Sequence, residues 1–319
     1  MSDTAVPTVS AVVPTYQREA TIATTIARLL AEPDLLEVVV VDDGSTDGTG
    51  EVLRAAAAAD PRVRPVTTAN GGANRARLTG SQAARGDVVL LVDDDVQLCA
   101  GTVRGHAAHH VGTARLVVVG YMPVDQGPPA RDTYPRDIYA REYEKHCGGW
   151  EADPDSVLAS LWAGNISLRR EDHLEAGRLL AGSPVRGYHE DLDLGLSCVR
   201  AGLTGMFDRG LRARHLFERS PEGFLRDARS SGQTLAAVHD RHRDMLGPLD
   251  RDFGRGLPAP ARWLVNTSAR VPGPRLLTTC AIEVFGRLRM FRLQRLAAGM
   301  AWRQEQLRAV IELPAEQVD

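Results

Sequence analysis

Val88-Val89-Leu90-Leu91-Val92-Asp93-Asp94-Asp95 is an uncharged aliphatic run that ends abruptly in three consecutive carboxylates. Five aliphatic residues, three of them β-branched, read as a strand covered on both faces, the kind found in parallel sheets flanked by helices. Three adjacent acids at its carboxyl end repel one another unless a cation or a ring of donors compensates them, and clustered hard oxygens suit Mg²⁺ or Mn²⁺. A solvated acidic turn would account for the triplet taken alone, so its meaning depends on the segments around it.

Working outward, the first half of the chain alternates apolar strands with helical patterns. Ser10 to Thr15 reads as a strand, and Glu19 to Leu30 as a helix with Ile22, Ile26, Leu29 and Leu30 on one face. Leu36 to Val41 is a second buried strand. Asp42-Asp43-Gly44-Ser45-Thr46-Asp47-Gly48-Thr49 is a turn and capping cluster, followed by a helix from Gly50 to Ala59 that Asp60-Pro61 stops. Val63 to Val66 reads as a short strand and Ala73 to Arg85 as a helix. This alternation predicts an α/β fold with a mostly parallel sheet flanked by helices. Ligands in such sheets gather beyond the carboxyl ends of the strands, where Pro14-Thr15-Tyr16, Asp42-Asp43-Gly44 and the acidic triplet all fall. The Pro-, Gly- and Asp-rich stretch from Pro123 to Pro135 is expected to form a mobile loop beside that edge.

Composition narrows the functional classes. A formal charge of -3 over 319 residues gives no general electrostatic case for nucleic acid, and 5% aromatics makes a stacking platform for single strands a poor expectation. Cys99, Cys147, Cys198 and Cys280 are scattered, which points to reduced thiols rather than a zinc cluster or disulfide frame. Met1 to Val9 lacks a basic region followed by an apolar core, and no run approaches the roughly 20 apolar residues of a membrane span, so a cytoplasmic protein is expected. The single lysine, Lys145, lies outside any Gly-Lys-Ser/Thr loop, which excludes a P-loop nucleotidase.

From about Pro221 the chain changes to helical segments separated by Pro and Gly. Between Phe285 and Arg308 six arginines face one acid, Glu305, interleaved with Leu288, Met290, Phe291, Leu293, Leu296, Met300 and Trp302. Such a basic amphipathic helix is expected to pack on its own domain, with a second subunit in a homodimer or an anionic membrane surface as alternatives.

Taken together, the N-terminal segments resemble the family 2 glycosyltransferases of the GT-A fold, which transfer a sugar from a nucleotide sugar with inversion. The resemblance is carried by Val12-Val13-Pro14-Thr15-Tyr16, by Val39 to Asp47, by Arg77-Leu78-Thr79-Gly80 with Arg85-Gly86-Asp87, and by Asp93-Asp94-Asp95. Gly164-Asn165-Ile166-Ser167-Leu168-Arg169-Arg170 and His189-Glu190-Asp191-Leu192-Asp193-Leu194-Gly195 look like the acceptor-side motifs. It implies a GT-A domain over residues 1–220, with nucleotide-sugar binding at about 9–120 and the acceptor side at about 121–220, and a helical region over 221–319.

The resemblance also distributes roles. Asp95 is the first-choice ligand of Mn²⁺ or Mg²⁺, Asp93 meets ribose or metal, Asp94 stands beside them, and His215 is a second metal or phosphate contact. Pro14, Thr15 and Tyr16 hold the nucleobase, Asp42 or Asp43 accepts a hydrogen bond from base or ribose, and Arg77 reaches base or pyrophosphate. Turn and helix capping would account for Asp42 and Asp43 as well. Asp191 is the implied general base and Glu190 positions the acceptor, although acids in a first helical turn are favoured by exposed amides in any case. Gly164 and Asn165 fall on the acceptor side, where Trp162 stacks on a sugar or packs in the core. A processive synthase would show a Gln-x-x-Arg-Trp motif and a membrane span, so a single-addition transferase is expected. Its donor is a UDP-sugar ahead of dTDP- and GDP-sugars, and its acceptor a glycan, a lipid-linked sugar, a peptide or a small natural product. The rivals are a non-catalytic nucleotide-sugar-binding or scaffold protein of the same fold, and a sugar nucleotidyltransferase. The latter would want a Gly-rich, lysine-bearing loop where this chain has Thr15-Tyr16-Gln17-Arg18.

Overall fold

The computed structural model describes residues 5–125, 127–268 and 271–313. It separates into two compact units, one of Met1–Asp125, Glu144–Arg186 and Glu190–Leu216, the other of Gln126–Tyr143, Gly187–His189 and Phe217–Asp319.

In chain order the elements up to the end of the first unit are β1 (Val9–Thr15), α1 (Ile22–Leu30), β2 (Leu35–Asp42), α2 (Thr49–Ala59), β3 (Val63–Thr67) and α3 (Ala73–Ala83). They continue with β4 (Val88–Val92), β5 (Val96–Leu98), α4 (Thr102–His109), β6 (Leu116–Tyr121) and α5 (Tyr134–Ala152). Last come β7 (Asn165–Arg169), α6 (Arg170–Leu180), α7 (Glu190–Arg200) and β8 (Thr204–His215).

The strands form one sheet in the order β3-β2-β1-β4-β7-β6-β8-β5. The first four are parallel to one another, as the aliphatic runs predict, and Val38 to Val41 and Val88 to Val92 are wholly buried. The other half is mixed: β7 is antiparallel to β4 and β6, β6 and β8 are parallel, and β5 is antiparallel to β8. No single helical crossover leads from β4 to β7, so the chain enters that position reversed. Helix α1 starts at Ile22, three residues later than its pattern predicts, because Gln17 takes a left-handed φ of 56° and the amides of Thr21 and Ile22 turn back to Arg18 O.

Buried histidines tie helices to this sheet. His106 contacts Ser167 Oγ through Nδ1 at 2.8 Å and Asn165 Oδ1 through Nε2 at 3.0 Å, and His110 Nε2 reaches the same Ser167 hydroxyl at 2.8 Å. His173 on α6 contacts Ser81 Oγ on α3 at 2.7 Å. Burial holds His106 down to about 3, and His110 and His173 down to about 4, so all three are neutral when folded.

The second unit contains α8 (Pro221–Arg241), α9 (Arg243–Leu246), α10 (Ala259–Thr267), α11 (Gly273–Arg287) and α12 (Phe291–Ile311). Its core gathers Tyr134, Phe224, Ile282, Ala297, Ala298 and Ala301, with Phe285 and Trp302 packed against it. The basic segment from Phe285 to Arg308 is not the single helix its pattern suggests. It breaks between Arg287 and Phe291, where Arg289 adopts a φ of 57°, and resumes as α12. Among the described residues no helix is long and apolar enough to cross a membrane.

The histidine contacts make folding sensitive to acid. An unfolded histidine binds its proton near pH 6.5, whereas the folded ones do so only near 3 to 4, so acidification favours the unfolded chain. The loss begins as pH falls through about 6.5 and levels off below the folded values. Urea titrations should show stability falling by on the order of a few kcal/mol between pH 7.5 and 4.5. The His106→Asn, His173→Gln double variant should have a shallower slope; an unchanged slope would assign the effect to carboxylates.

Candidate functional site

Four parallel strands deliver their carboxyl ends to one edge. Thr67 aligns with Asp42 and Asp42 with Thr15, while β4 stops at Val92 just before the acidic triplet. Strand β7 runs the opposite way and begins at this edge, with Asn165 paired to Val92. The Gly164-Asn165 motif is thereby brought beside Asp93.

The centre of the edge is Arg77, whose side chain is only 3% exposed on α3. Nη2 donates to Asp93 Oδ1 at 2.7 Å and Nη1 to Asp191 Oδ1 at 2.8 Å, so one planar fork joins two carboxylates from distant elements. Burial opposes the guanidinium charge, but the two carboxylates hold its proton more firmly than usual. Asp191 Oδ2 also accepts from the Ala163 amide at 3.0 Å. Asp93, Asp95 and Asp191 keep side-chain exposures of 32%, 36% and 35%, which makes them the members of the cluster that meet solvent.

The triplet divides three ways. Asp93 turns to Arg77; burial, joined by Asp191 and Asp95, pushes its carboxyl up against the pull of that guanidinium. Asp94 accepts from Thr15 Oγ1 at 2.8 Å and Arg18 Nε at 3.1 Å, and burial still pushes it up to about 6. Asp95 Oδ2 lies 3.5 Å from His215 Nε2 at the end of β8. Burial would raise Asp95 too, but the hydrogen bond and charge of His215 more than offset it and leave the carboxyl below the ordinary range.

Among the described residues no three His, Cys, Asp or Glu side chains converge as a metal cage. Asp95 and His215 form a two-residue pair of a hard oxygen and an imidazole nitrogen; an ion held by so few protein donors completes its shell with water and substrate phosphates, the habit of Mg²⁺. The imidazole adds a donor suited to Mn²⁺.

Two glycines are required here by contact. Gly164 has a φ of 109°, and a Cβ on it would lie 2.9 Å from Asp93 Oδ2. Gly72 has a φ of 92°, and its Cβ would lie 2.7 Å from Glu190 Oε1.

Several expected contacts have other tasks in the structure. Arg77 has both arms on carboxylates rather than reaching out for a base or pyrophosphate. Glu190 is buried, not acceptor-facing: its Oε2 accepts the Asn74 amide at 2.8 Å and its carbonyl accepts Asn74 Nδ2 at 2.6 Å. The reason is that the residue capping the start of α3 is Gly72, which has no side chain to offer, so the exposed amides of the first turn take a carboxylate from α7. Asn165 is likewise buried, joining Leu211 O at 3.0 Å to His106. Both Asp43 oxygens are taken by the amides of Gly71 and Gly72, and Asp42 Oδ1 accepts the Ser45 amide at 2.9 Å. Pro14 is half-buried, the Thr15 hydroxyl is committed to Asp94, and the Tyr16 ring is exposed. Trp162 is half-buried with its ring 5.0 Å from that of His146. Sequence reading missed Arg18, although a cation two residues after Tyr16 was a signal, and it missed the Ala163 amide, which no side chain announces.

The double ion pair should be costly to break. Arg77→Met strands Asp93 and Asp191 without a counter-charge and should lower the unfolding free energy by about 2 to 3 kcal/mol, below the full buried-pair penalty because both acids are partly solvated. Arg77→Lys should recover only part, since one ammonium cannot reproduce the fork. Urea unfolding of the three proteins measures both.

Comparison with known proteins places the chain by family match and fold. Residues 10–167 match the family model described as Glycosyl transferase family 2. Over 217 residues the chain is 30% identical to the uncharacterized glycosyltransferase EpsJ of Bacillus subtilis (strain 168), a match covering 65% of this chain and 60% of that protein. The chain therefore spans less than two thirds of that relative. A mannosyltransferase from Pyrobaculum calidifontis, solved with GDP-Man and Mn²⁺, superposes with a TM-score of 0.59 at 19% identity, covering 94% of this chain and 88% of the other. Glucosyl-3-phosphoglycerate synthase from Mycobacterium tuberculosis, solved with Mn²⁺ and UDP-Glc, gives a TM-score of 0.51 at 21% identity over 74% of this chain and 79% of the other. At these identities the two structures speak for the fold, which is of the GT-A type. Residues 10–167, about half of the chain, therefore carry the glycosyl transferase family 2 match.

Proposed function

We propose that this protein is a metal-dependent, inverting glycosyltransferase that makes single additions from a nucleotide diphosphate sugar, with Asp191 as general base. The observation that carries the reading is the shared fork of Arg77: a partly exposed carboxylate on α7 and the first acid of the triplet sit on one guanidinium. That spacing suits a reaction in which an acceptor hydroxyl is deprotonated on one side of a sugar while a diphosphate leaves on the other.

In the proposed step the acceptor oxygen bonds to the anomeric carbon as the carbon–phosphate oxygen bond breaks in line, and the hydroxyl proton passes to Asp191. A carboxylate is a much weaker base than the alkoxide it would generate, so the proton moves with the attack rather than before it. Arg77 and the Ala163 amide hold the Asp191 carboxylate in place, which limits the reorganisation the step requires. Asp95 and His215, with Asp93 beside them, would hold Mn²⁺ or Mg²⁺, whose chemistry when bound is to neutralise charge on the departing diphosphate. Both structural neighbours were solved with Mn²⁺, which supports that assignment. The catalytic region proposed is residues 1–220, and the donor a UDP-sugar as in the Mycobacterium complex, with the GDP-sugar of the Pyrobaculum complex as the alternative.

Nucleotide release from UDP-, dTDP- and GDP-sugars, with Mn²⁺ or EDTA, tests the reading. Asp191→Asn should keep Mn²⁺-dependent nucleotide binding by calorimetry while losing about 10² to 10⁴ in turnover. Asp95→Ala should weaken the binding itself. Normal turnover by Asp191→Asn would remove the base assignment, and no donor binding by the wild type would favour the non-catalytic reading.

A further inference from the structure

The second unit leaves apolar side chains in solvent where a helical bundle ordinarily buries them. On α11 the buried face is Pro274, Thr278, Ile282 and Gly286, spaced four apart. Away from it runs a second stripe, Leu277, Cys280, Val284 and Leu288, in which Leu277, Val284 and Leu288 are 63%, 50% and 63% exposed. Helix α12 repeats the division: Gln294, Ala297 and Ala298 face inward, while Arg292, Leu293 and Leu296 face outward, Leu296 at 60% exposure. The two helices pack on each other and are joined by a short turn, so Leu288, Met290, Leu293 and Leu296 surround the tip of a helical hairpin.

The same tip is basic. Arg287, Arg289 and Arg292 are exposed there, and no acid occurs from Val284 to Gln304. The nearest acid, Glu283, is already engaged by Arg131 and lies 3.8 Å from Arg287. Among the described residues Arg289 and Arg292 have no carboxylate partner. Single surface leucines are ordinary, but several exposed apolar side chains around one helix–helix turn, beside two arginines without a carboxylate partner, mark a docking face.

We propose that the α11–α12 tip docks on an anionic lipid bilayer, with Leu288, Met290, Leu293 and Leu296 entering the headgroup–acyl boundary and Arg287, Arg289 and Arg292 meeting lipid phosphates. Charge selects this occupant over a second copy of the chain. A symmetric contact through the tip would bring the three arginines of each copy together with only Glu283, already engaged by Arg131, beside them, whereas an anionic surface offers a partner to each. The proposal is independent of the reaction described above.

Sedimentation of the full chain with vesicles of phosphatidylcholine alone, or containing about a third phosphatidylglycerol, reads the effect directly. Binding is expected to the anionic vesicles only, and to weaken as salt is raised. Each basic side chain near such a surface contributes about fivefold, so the Arg289→Glu, Arg292→Glu variant should bind at least about tenfold more weakly. Leu288→Asp with Leu296→Asp should also lose binding. These side chains are exposed, so thermal unfolding of the variants should match wild type, which separates lost docking from lost folding. The proposal fails if wild type ignores anionic vesicles, or if the charge-reversed variant binds as well as wild type. It also fails if light scattering shows a wild-type dimer that the Leu288→Asp, Leu296→Asp variant dissociates, because the face would then belong to a second copy.

Discussion

A guanidinium withdrawn from water and shared by two carboxylates is the constraint on which the candidate site rests. Arg77 can be buried only because Asp93 and Asp191 compensate it, and each acid is aligned by the arginine in return. That mutual dependence fixes the end of β4 to the start of α7 through α3. The clamp is strengthened by Glu190 on the Asn74 amide and by His173 on Ser81. Around this fork four carboxylates, Asp93, Asp94, Asp95 and Asp191, meet two guanidinium groups, those of Arg77 and Arg18. The carboxylates outnumber the guanidinium groups, and a cation bound there would offset that acidic excess.

The parallel half of the sheet was legible because strands buried on both faces must be aliphatic throughout, and Val38 to Val41 and Val88 to Val92 have no other reading. Strand β8 was not legible. Thr204–His215 contains Asp208, Arg209, Arg212 and Arg214 and shows no clean alternation; it is held by β6 on one side and β5 on the other. Partners so remote in sequence leave no local trace. The inward direction of Arg77 was hidden for the same reason, since its two acids lie 16 and 114 residues away.

The helical region shows the converse limit. Its sequence correctly marks an amphipathic, arginine-rich segment, yet periodicity alone cannot say which side of it is covered. The side that packs contains Ala297, Ala298 and Ala301, small residues that let helices approach, while larger leucines remain outside. Ranking residues by hydrophobicity would have reversed that choice. The break at Leu288–Met290 adds a second uncertainty, because a left-handed arginine carries none of the usual Gly or Pro punctuation.

The acidic triplet is where identity of residue and difference of role separate most clearly. Three successive aspartates share one composition and one burial trend, yet Asp93 and Asp94 are pushed up while Asp95 is drawn down. Nothing in Asp-Asp-Asp distinguishes them. The difference is imported by Arg77 from α3, by Thr15 and Arg18 from the segment after β1, and by His215 from the end of β8. Asp95 is the one of the three whose ionised form is favoured, and it has an imidazole beside it, which is the geometry behind its proposed role as a cation ligand. The sequence offers the triplet, but the sheet's topology chooses among its members by deciding which neighbour each one meets.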